Sequence, residues 1–331
     1  MKKIVSIVLA VSMLAVCVTG CKTTTRKQLK PVVLNEVAHS IFYAPQYAAI
    51  ELGYFEDEGL DLTLVNGAGA DKVMTALISG DADIGFMGSE ASIYVYQQGS
   101  DDYAVNFAQL TQRAGNFLVG REAQDNFTWA DLKGKKVLGG RAGGMPELVY
   151  EYILKKNGIE PAADLTIDQS INFGLTAAAF TSNDADYTVE FEPFATGLEK
   201  EGNGHVIASL GVDSGYVPYT AYSVKKSYLE KNPETIQKFT NAIQKGLEYV
   251  NTHSAEEIAK VIQPQFKETD EDTIATIVGR YKDQDTWKGD TVFEKDSFEL
   301  LENILEEAGE LNERVPYDKL VTTEFSQEAA K

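Results

Sequence analysis

Residues 31–55 read PVVLNEVAHSIFYAPQYAAIELGYF, and the order of residue types along them sets the fold class. Val32, Val33 and Leu34 are strand formers, His39 and Ser40 break the apolar run, Pro45 suits a first helical turn, and Gly53 can end the helix by taking a positive φ. Strand, loop and helix therefore follow in immediate succession. In an open α/β sheet a ligand is received where strand carboxyl ends meet helix amino ends. His39, Ser40 and Tyr43 fall there, and the rings of Tyr43 and Phe42 offer faces on which a flat ligand could stack.

Outward from this stretch, strand and helix patterns keep alternating, which predicts an α/β chain with mostly parallel sheets. Residues 61–65 form a second strand, Gly67 and Gly69 lie in the turn after it, 71–78 form a helix closed by Gly80, and 82–87 form a third strand. Gly88-Ser89-Glu90 opens the next helix, with Ser89 expected as its N-cap and Glu90 favouring the positive helix end. Strands at 104–110 and 116–120 flank a first crossing between two lobes. The string TWADLKGKKV at 128–137 predicts a short capped helix and a turn feeding a strand, which ends at GGRAGG, 139–144. A helix follows from Met145 or Pro146 to just before Gly158.

The glycines at 139–144 let backbone N–H groups approach a ligand closely, but their spacing fits neither nucleotide-binding loop and argues against a nucleotide. Residues 187–191 form a strand, and of Glu190 and Glu192 at its end Glu190 is expected to face the cleft. A last second-lobe strand at 205–210 precedes the return at 215–224. From Asn232-Pro233-Glu234 a long helix carries Ile236, Phe239, Ile243, Leu247 and Val250 as one apolar stripe. Helices at 255–262, 270–282 and 293–308 are expected on the first lobe, and the polar end from Val315 is expected to fray. The domains read as residues 31–114 with 216–331 for lobe 1 and 115–215 for lobe 2.

Several of these strings carry a resemblance. Tyr43-Ala44-Pro45, Leu52-Gly53-Tyr54-Phe55, Glu58-Gly59-Leu60, the GDADIG run at 80–85, residues 128–137 and the YLEKNPET run at 228–235 resemble the extracytoplasmic solute-binding proteins of ABC importers. The closest branch serves alkanesulfonates, taurine, nitrate and the pyrimidine precursors of thiamine. The resemblance implies a two-lobed periplasmic-binding-protein-like fold of type II with two crossings, no cofactor, and a monomer that delivers a small solute to an ABC permease with a separate ATPase. A fungal synthase of the thiamine pyrimidine resembles the same opening stretch. For an enzyme of that kind the resemblance implies a cysteine-rich motif, whereas this chain has only Cys17 and Cys21. A ligand-sensing domain for a membrane receptor is a third reading.

The candidate ligand contacts are His39, Ser40, Tyr43, Gly67, Gly69, Gly88, Ser89, Glu90, Arg141, Gly143, Gly144, Met145 and Glu190. Among the three histidines, His39, His205 and His253, no pair has metal-ligand spacing, and there is no GxSxG elbow, so no metal and no catalytic set is expected. Glu90 and Glu147 stand in first helical turns and Glu190 adds a third carboxylate against Arg141 alone. That balance favours a neutral or amine-bearing aromatic solute over a sulfonate or nitrate.

Lys2 and Lys3, the apolar run 4–16 and Val18-Thr19-Gly20-Cys21 read as a lipoprotein leader, residues 1–20, with Cys21 as the lipidated first mature residue. Residues 21–30 form a tether. Loss of the leader leaves 28 of 30 basic residues against 50 acidic ones, a net charge of −22. Such a chain has no basic face for nucleic acid or anionic lipid. The expected location is the extracytoplasmic face of a bacterial membrane. Cys21→Ala is therefore expected to fold normally and to leave the membrane fraction after a salt wash; retention in that fraction would refute the lipid anchor.

Overall fold

The computed structural model describes residues 29–171 and 174–331. The leader, most of the tether and Cys21 lie outside the described residues. Among the described residues ten strands are shared between two five-stranded sheets: β1 (Lys30–Glu36), β2 (Leu60–Asn66), β3 (Ile84–Gly88), β4 (Ala104–Thr111), β5 (Asn116–Gly120), β6 (Lys136–Leu138), β7 (Thr166–Asp168), β8 (Tyr187–Phe191), β9 (His205–Ser209) and β10 (Thr220–Lys225). The first sheet has the order β2-β1-β3-β10-β4 and the second β7-β6-β8-β5-β9. The chain passes to the second sheet between Thr111 and Asn116 and returns between Ser209 and Thr220.

Each sheet is mixed in one way. The strand that arrives from a crossing, β5 in one sheet and β10 in the other, runs antiparallel to both neighbours, while the remaining pairings are parallel. A strand entering from the facing lobe starts at the edge where parallel strands end. The carboxyl ends of β1, β3, β6 and β8 and the amino end of β10 consequently border one gap.

Around the sheets lie α1 (Ala44–Glu51), α2 (Ala70–Ser79), α3 (Glu90–Gln97), α4 (Met145–Lys156), α5 (Phe194–Lys200), α6 (Pro233–Thr252), α7 (Glu271–Asp283), α8 (Lys295–Ala308) and α9 (Glu324–Ala329), among other helices. In α6 the predicted stripe is wholly buried. Gly246 lets α6 press on α1, since a Cβ there would lie 2.2 Å from the carbonyl oxygen of Pro45. The acidic turn before β3 is structural, because the Asp83 carboxylate accepts the N–H of Val33 at 2.9 Å.

Two expectations need amending. α7 packs on the helix Ala255–Ile262 and on Ile41–Tyr43 of the first lobe, but α7 and α8 also both reach the second lobe. In α7, Arg280 pairs with Glu192 and Glu199 beside the second sheet, and Lys155 of α4 reaches the carbonyl of Glu307 in α8. The polar carboxyl end does not fray. Val321 bridges to Asn106 of β4, and in α9 Phe325 is buried while Ser326 donates to the carbonyl of Phe107 at 2.9 Å. Two anchors among polar neighbours give a composition that reads as a tail although the segment docks. Phe325→Ala should lower stability by roughly 3 kcal/mol, the scale for truncating a buried Phe, read as a lower urea midpoint with an unchanged m-value; no shift would mean that the segment is only loosely held.

Candidate ligand-binding cleft

A cleft of about 720 Å³, counted out to its mouth, occupies the gap between the sheets. Its residues follow the rule for strand ends. Val37 and Ala38 succeed β1, Gly88 ends β3, Glu90 starts α3, Gly140 and Arg141 succeed β6, Phe191 ends β8, Tyr219 precedes β10 and Thr220 begins it.

On the first lobe, Ser40 accepts the N–H of Phe42 at 3.3 Å and donates across the gap to the carbonyl of Glu192 at 2.8 Å. One small hydroxyl thus caps a turn and joins the two lobes. The aromatic wall is Tyr43, Phe191 and Tyr219. Phe42 backs it from the core, with ring centroids 5.8 Å from Phe191 and 5.6 Å from Tyr219. The Tyr219 hydroxyl is buried with no partner among the described residues.

Glu90 is the least expected feature of this apolar hollow. It is 2% exposed, and its Oε2 has no hydrogen-bond partner among the described residues. Burial pushes its pKa up to about 7, opposed by hydrogen bonds from its own N–H and that of Met145 and by the charge of Arg141. The carboxyl folds back over Gly88, where a Cβ would stand 2.1 Å from Oε2. Across the cleft, Gly143 donates to Glu147 Oε2 at 3.0 Å and accepts from the hydroxyl of Tyr94 at 3.1 Å. Glu147 therefore secures its own loop, and Gln169 engages its other oxygen. Burial, with Glu151 adding to it, raises the Glu147 carboxyl.

Of the candidate contacts, Ser40, Tyr43, Gly69, Gly88, Glu90, Arg141, Gly144 and Met145 line the cleft. His39 does not. Its Nδ1 lies 2.8 Å from Glu36 and its Nε2 3.0 Å from the carbonyl of Gln265, and the Glu36 hydrogen bond raises its pKa above the ordinary value. Gly67 serves close packing, since a Cβ would lie 2.6 Å from Asn35 Oδ1. Ser89 holds the N-cap position of α3, but its side chain makes no capping bond; it has helical backbone angles and donates to the carbonyl of Pro218. Gly143 holds the loop from behind.

Glu190 lines a smaller adjoining hollow that shares Gly140, Pro146 and Phe191 with the cleft. It accepts from Thr176 at 2.9 Å and Thr188 at 2.6 Å, and burial pushes its pKa up to about 7 against those two bonds. Glu192 is wholly buried, paired with Arg280 and accepting the N–H of Thr196. Sequence reasoning passed over Phe191 and Tyr219. Their positions at the end of one strand and just before another were the available signal.

A family model described as NMT1/THI5 like matches residues 41–257. YtlA of Bacillus subtilis (strain 168), named as a candidate binding protein, is 46% identical over 308 residues, 93% of this chain and 92% of its own. The chain belongs to the NMT1/THI5-like family. This NMT1/THI5-like protein is also 24% identical to the formylaminopyrimidine-binding protein of Halalkalibacterium halodurans, over 83% of this chain and 85% of that one. THI11 of Saccharomyces cerevisiae, a 4-amino-5-hydroxymethyl-2-methylpyrimidine phosphate synthase, is 26% identical over 63% of each chain. In fold it matches the alkanesulfonate-binding protein SsuA of Xanthomonas axonopodis pv. citri, solved with MOPS. The TM-score is 0.72 at 14% identity, over 89% of this chain and 99% of that one. The NMT1/THI5-like chain thus has the periplasmic-binding-protein fold.

Because the atoms a Cβ at Gly88 would meet are the end of a flexible side chain, Gly88→Ala should displace the Glu90 carboxyl rather than unfold the protein. The thermal midpoint should stay within about 3 °C, while the Glu90 carboxyl titration, followed by NMR on 13C-glutamate-labelled protein, should move. An unchanged titration would mean that Gly88 does not set its position.

Proposed function

We propose that this protein is the solute-binding component of an ABC importer, held by lipid at Cys21 on the extracytoplasmic face of the membrane. It captures a small organic solute between its lobes and delivers it to a permease whose ATPase is a separate chain. The solute is a neutral or amine-bearing aromatic compound of the thiamine-pyrimidine-precursor type. The observation that carries this reading is Glu90, a buried carboxyl with an unpartnered oxygen inside an aromatic-walled cleft. A flat ring with N–H donors satisfies both features, and the name of the H. halodurans relative points to the same chemistry. Glu190, in the adjoining hollow, accepts from a substituent on that ring.

An anion is the alternative solute, and Arg141 at the cleft favours it. Against it stands Glu90, whose carboxyl shares the cleft with Met145 at the head of α4 and draws on the N–H that an anion would need. A synthase role is weakened by the chain's two cysteines, one in the leader and one at the expected lipid site.

Calorimetric titration separates these readings. Formylaminopyrimidine should bind with a Kd in the micromolar range or tighter, survive Arg141→Ala, weaken by roughly 1.5–3 kcal/mol in Glu190→Gln through loss of a charge-assisted hydrogen bond, and reduce the radius of gyration in small-angle scattering. Tight binding of taurine or an alkanesulfonate that is lost in Arg141→Ala and untouched by Glu190→Gln would overturn the assignment.

A further inference from the structure

Glu90 is unusual in what surrounds its two oxygens. It stands at the head of α3 on the first lobe, and Met145, whose N–H favours its ionised form, is the first residue of α4 on the second; both line the cleft. The carboxyl therefore faces the head of α4 across the gap and leaves Oε2 unpartnered in the cleft. The other buried acids nearby are supplied from within the protein: Glu36 by Gln46, Tyr47 and His39, Glu190 by two threonines, Glu192 by Arg280 and Thr196. The charged and titratable groups facing Glu90 are Arg141, which favours its ionised form, and the phenols of Tyr43, Tyr94 and Tyr219, whose ionisation its charge opposes.

We infer that Glu90 makes closure of the cleft depend on a hydrogen-bond-donating solute: the solute's N–H takes the place of the proton on Oε2, that proton leaves to solvent, and the ionised carboxylate then binds the solute and the head of α4 together. This rests on the solute class proposed above. An empty, closed cleft leaves either a neutral carboxyl beside helix amino ends or a buried charge with one oxygen unpaired. Both are unfavourable, and a donor removes the conflict. The sign for pH follows. A donor stabilises the ionised form and so lowers the carboxyl's pKa in the complex. Below about 7, where the free carboxyl holds its proton, binding releases that proton. Affinity therefore rises with pH up to that point and is flat above it. For a carboxyl titrating near 7, the rise from pH 5.5 to 7 is on the order of tenfold.

Difference infrared spectroscopy and calorimetry with formylaminopyrimidine, on wild type and Glu90→Gln between pH 5.5 and 8.5, test this. Melting temperatures would check that the variant folds. At pH 6 the probe should bleach a protonated-carboxyl band in wild type that Glu90→Gln lacks. Wild-type affinity should rise about tenfold to pH 7 beyond any slope the variant shows from the probe's own ring or from Glu190, whose carboxyl is also pushed up to about 7, and the variant should bind at least tenfold more weakly. A probe that binds tightly while the band stays, or a variant that keeps the full pH slope, overturns the inference and leaves the solute class standing. A probe that fails to bind at every pH overturns the solute class. The lobe contact is then read without ligand: empty Glu90→Met, freed of the unpaired oxygen, should be more closed than empty wild type by small-angle scattering, and equal radii of gyration would refute it.

Discussion

Each sheet is completed by a strand delivered from the other lobe, which joins the central strand to one edge strand. In the first sheet β10 lies between β3 and β4, and in the second β5 lies between β8 and β9. Neither sheet is continuous without its crossing strand, so the backbone ladders of the two lobes depend on the same pair of crossings. The crossings are fixed in turn by the end of α7 and the residues after it. There Tyr281 donates to the carbonyl of Gly115 at 2.8 Å, Gln284 to that of Ala114 at 3.0 Å, and the N–H of Gln112 donates to the carbonyl of Thr286. A short, bonded crossing confines relative movement of the lobes to one region, and the gap opposite it is where the strand ends converge.

Carboxyl burial follows from that convergence. Strand ends leave backbone N–H and helix amino ends free to face acids, so acids accumulate there, and the energetic question for each is how completely it is supplied. Glu192 has a guanidinium and a backbone N–H, and a wholly buried charge without such partners would be strongly destabilising. Glu36 has three polar side chains. Glu190 has two hydroxyls, enough to hold it but not to keep its pKa in the ordinary carboxylate range. In Glu90 the supply is incomplete, and it is Glu90 that lines the main cleft. A graded supply of this kind separates the fully partnered structural acids from the one that lines the main cleft by hydrogen-bond accounting alone.

Local signals were readable where one residue's environment is set by its neighbours in sequence. The bounds 116–120 and 187–191 match β5 and β8, Gly53 takes φ 73°, and Gly80 closes α2 at φ 86°. The α6 stripe is legible because burial repeats with the helical period. What failed depends on partners distant in sequence. Ser89 has the composition of a cap, but the carbonyl of Pro218, 129 residues on, takes its hydroxyl. His39 sits at a strand end, yet Gln265, 226 residues away, helps turn it out of the cleft. Residues 315–331 look like a tail because only their contacts with Phe107 and Asn106 identify them as packed. The three-residue strand β7 is too short to show any period.

The same dependence bears on how one scaffold can suit both anions and ring compounds. Strand-to-helix turns supply N–H donors at the cleft whatever their side chains, and a bare amino end of a helix favours negative charge. A carboxyl placed in the first turn and buried there reverses that preference, because it takes the donors and presents acceptors in their place. In this chain a carboxyl is placed in that way by two residues two positions apart: Gly88, which leaves room for the side chain to fold back, and Glu90, which does so. Arg141, exposed at the cleft, tempers the charge without occupying Oε2. Whether this edge of the cleft presents an acceptor or a bare helix amino end thus turns on the pairing of residues 88 and 90, a local feature of sequence whose meaning becomes physical only when β3 and α3 bring it to the shared edge of two sheets.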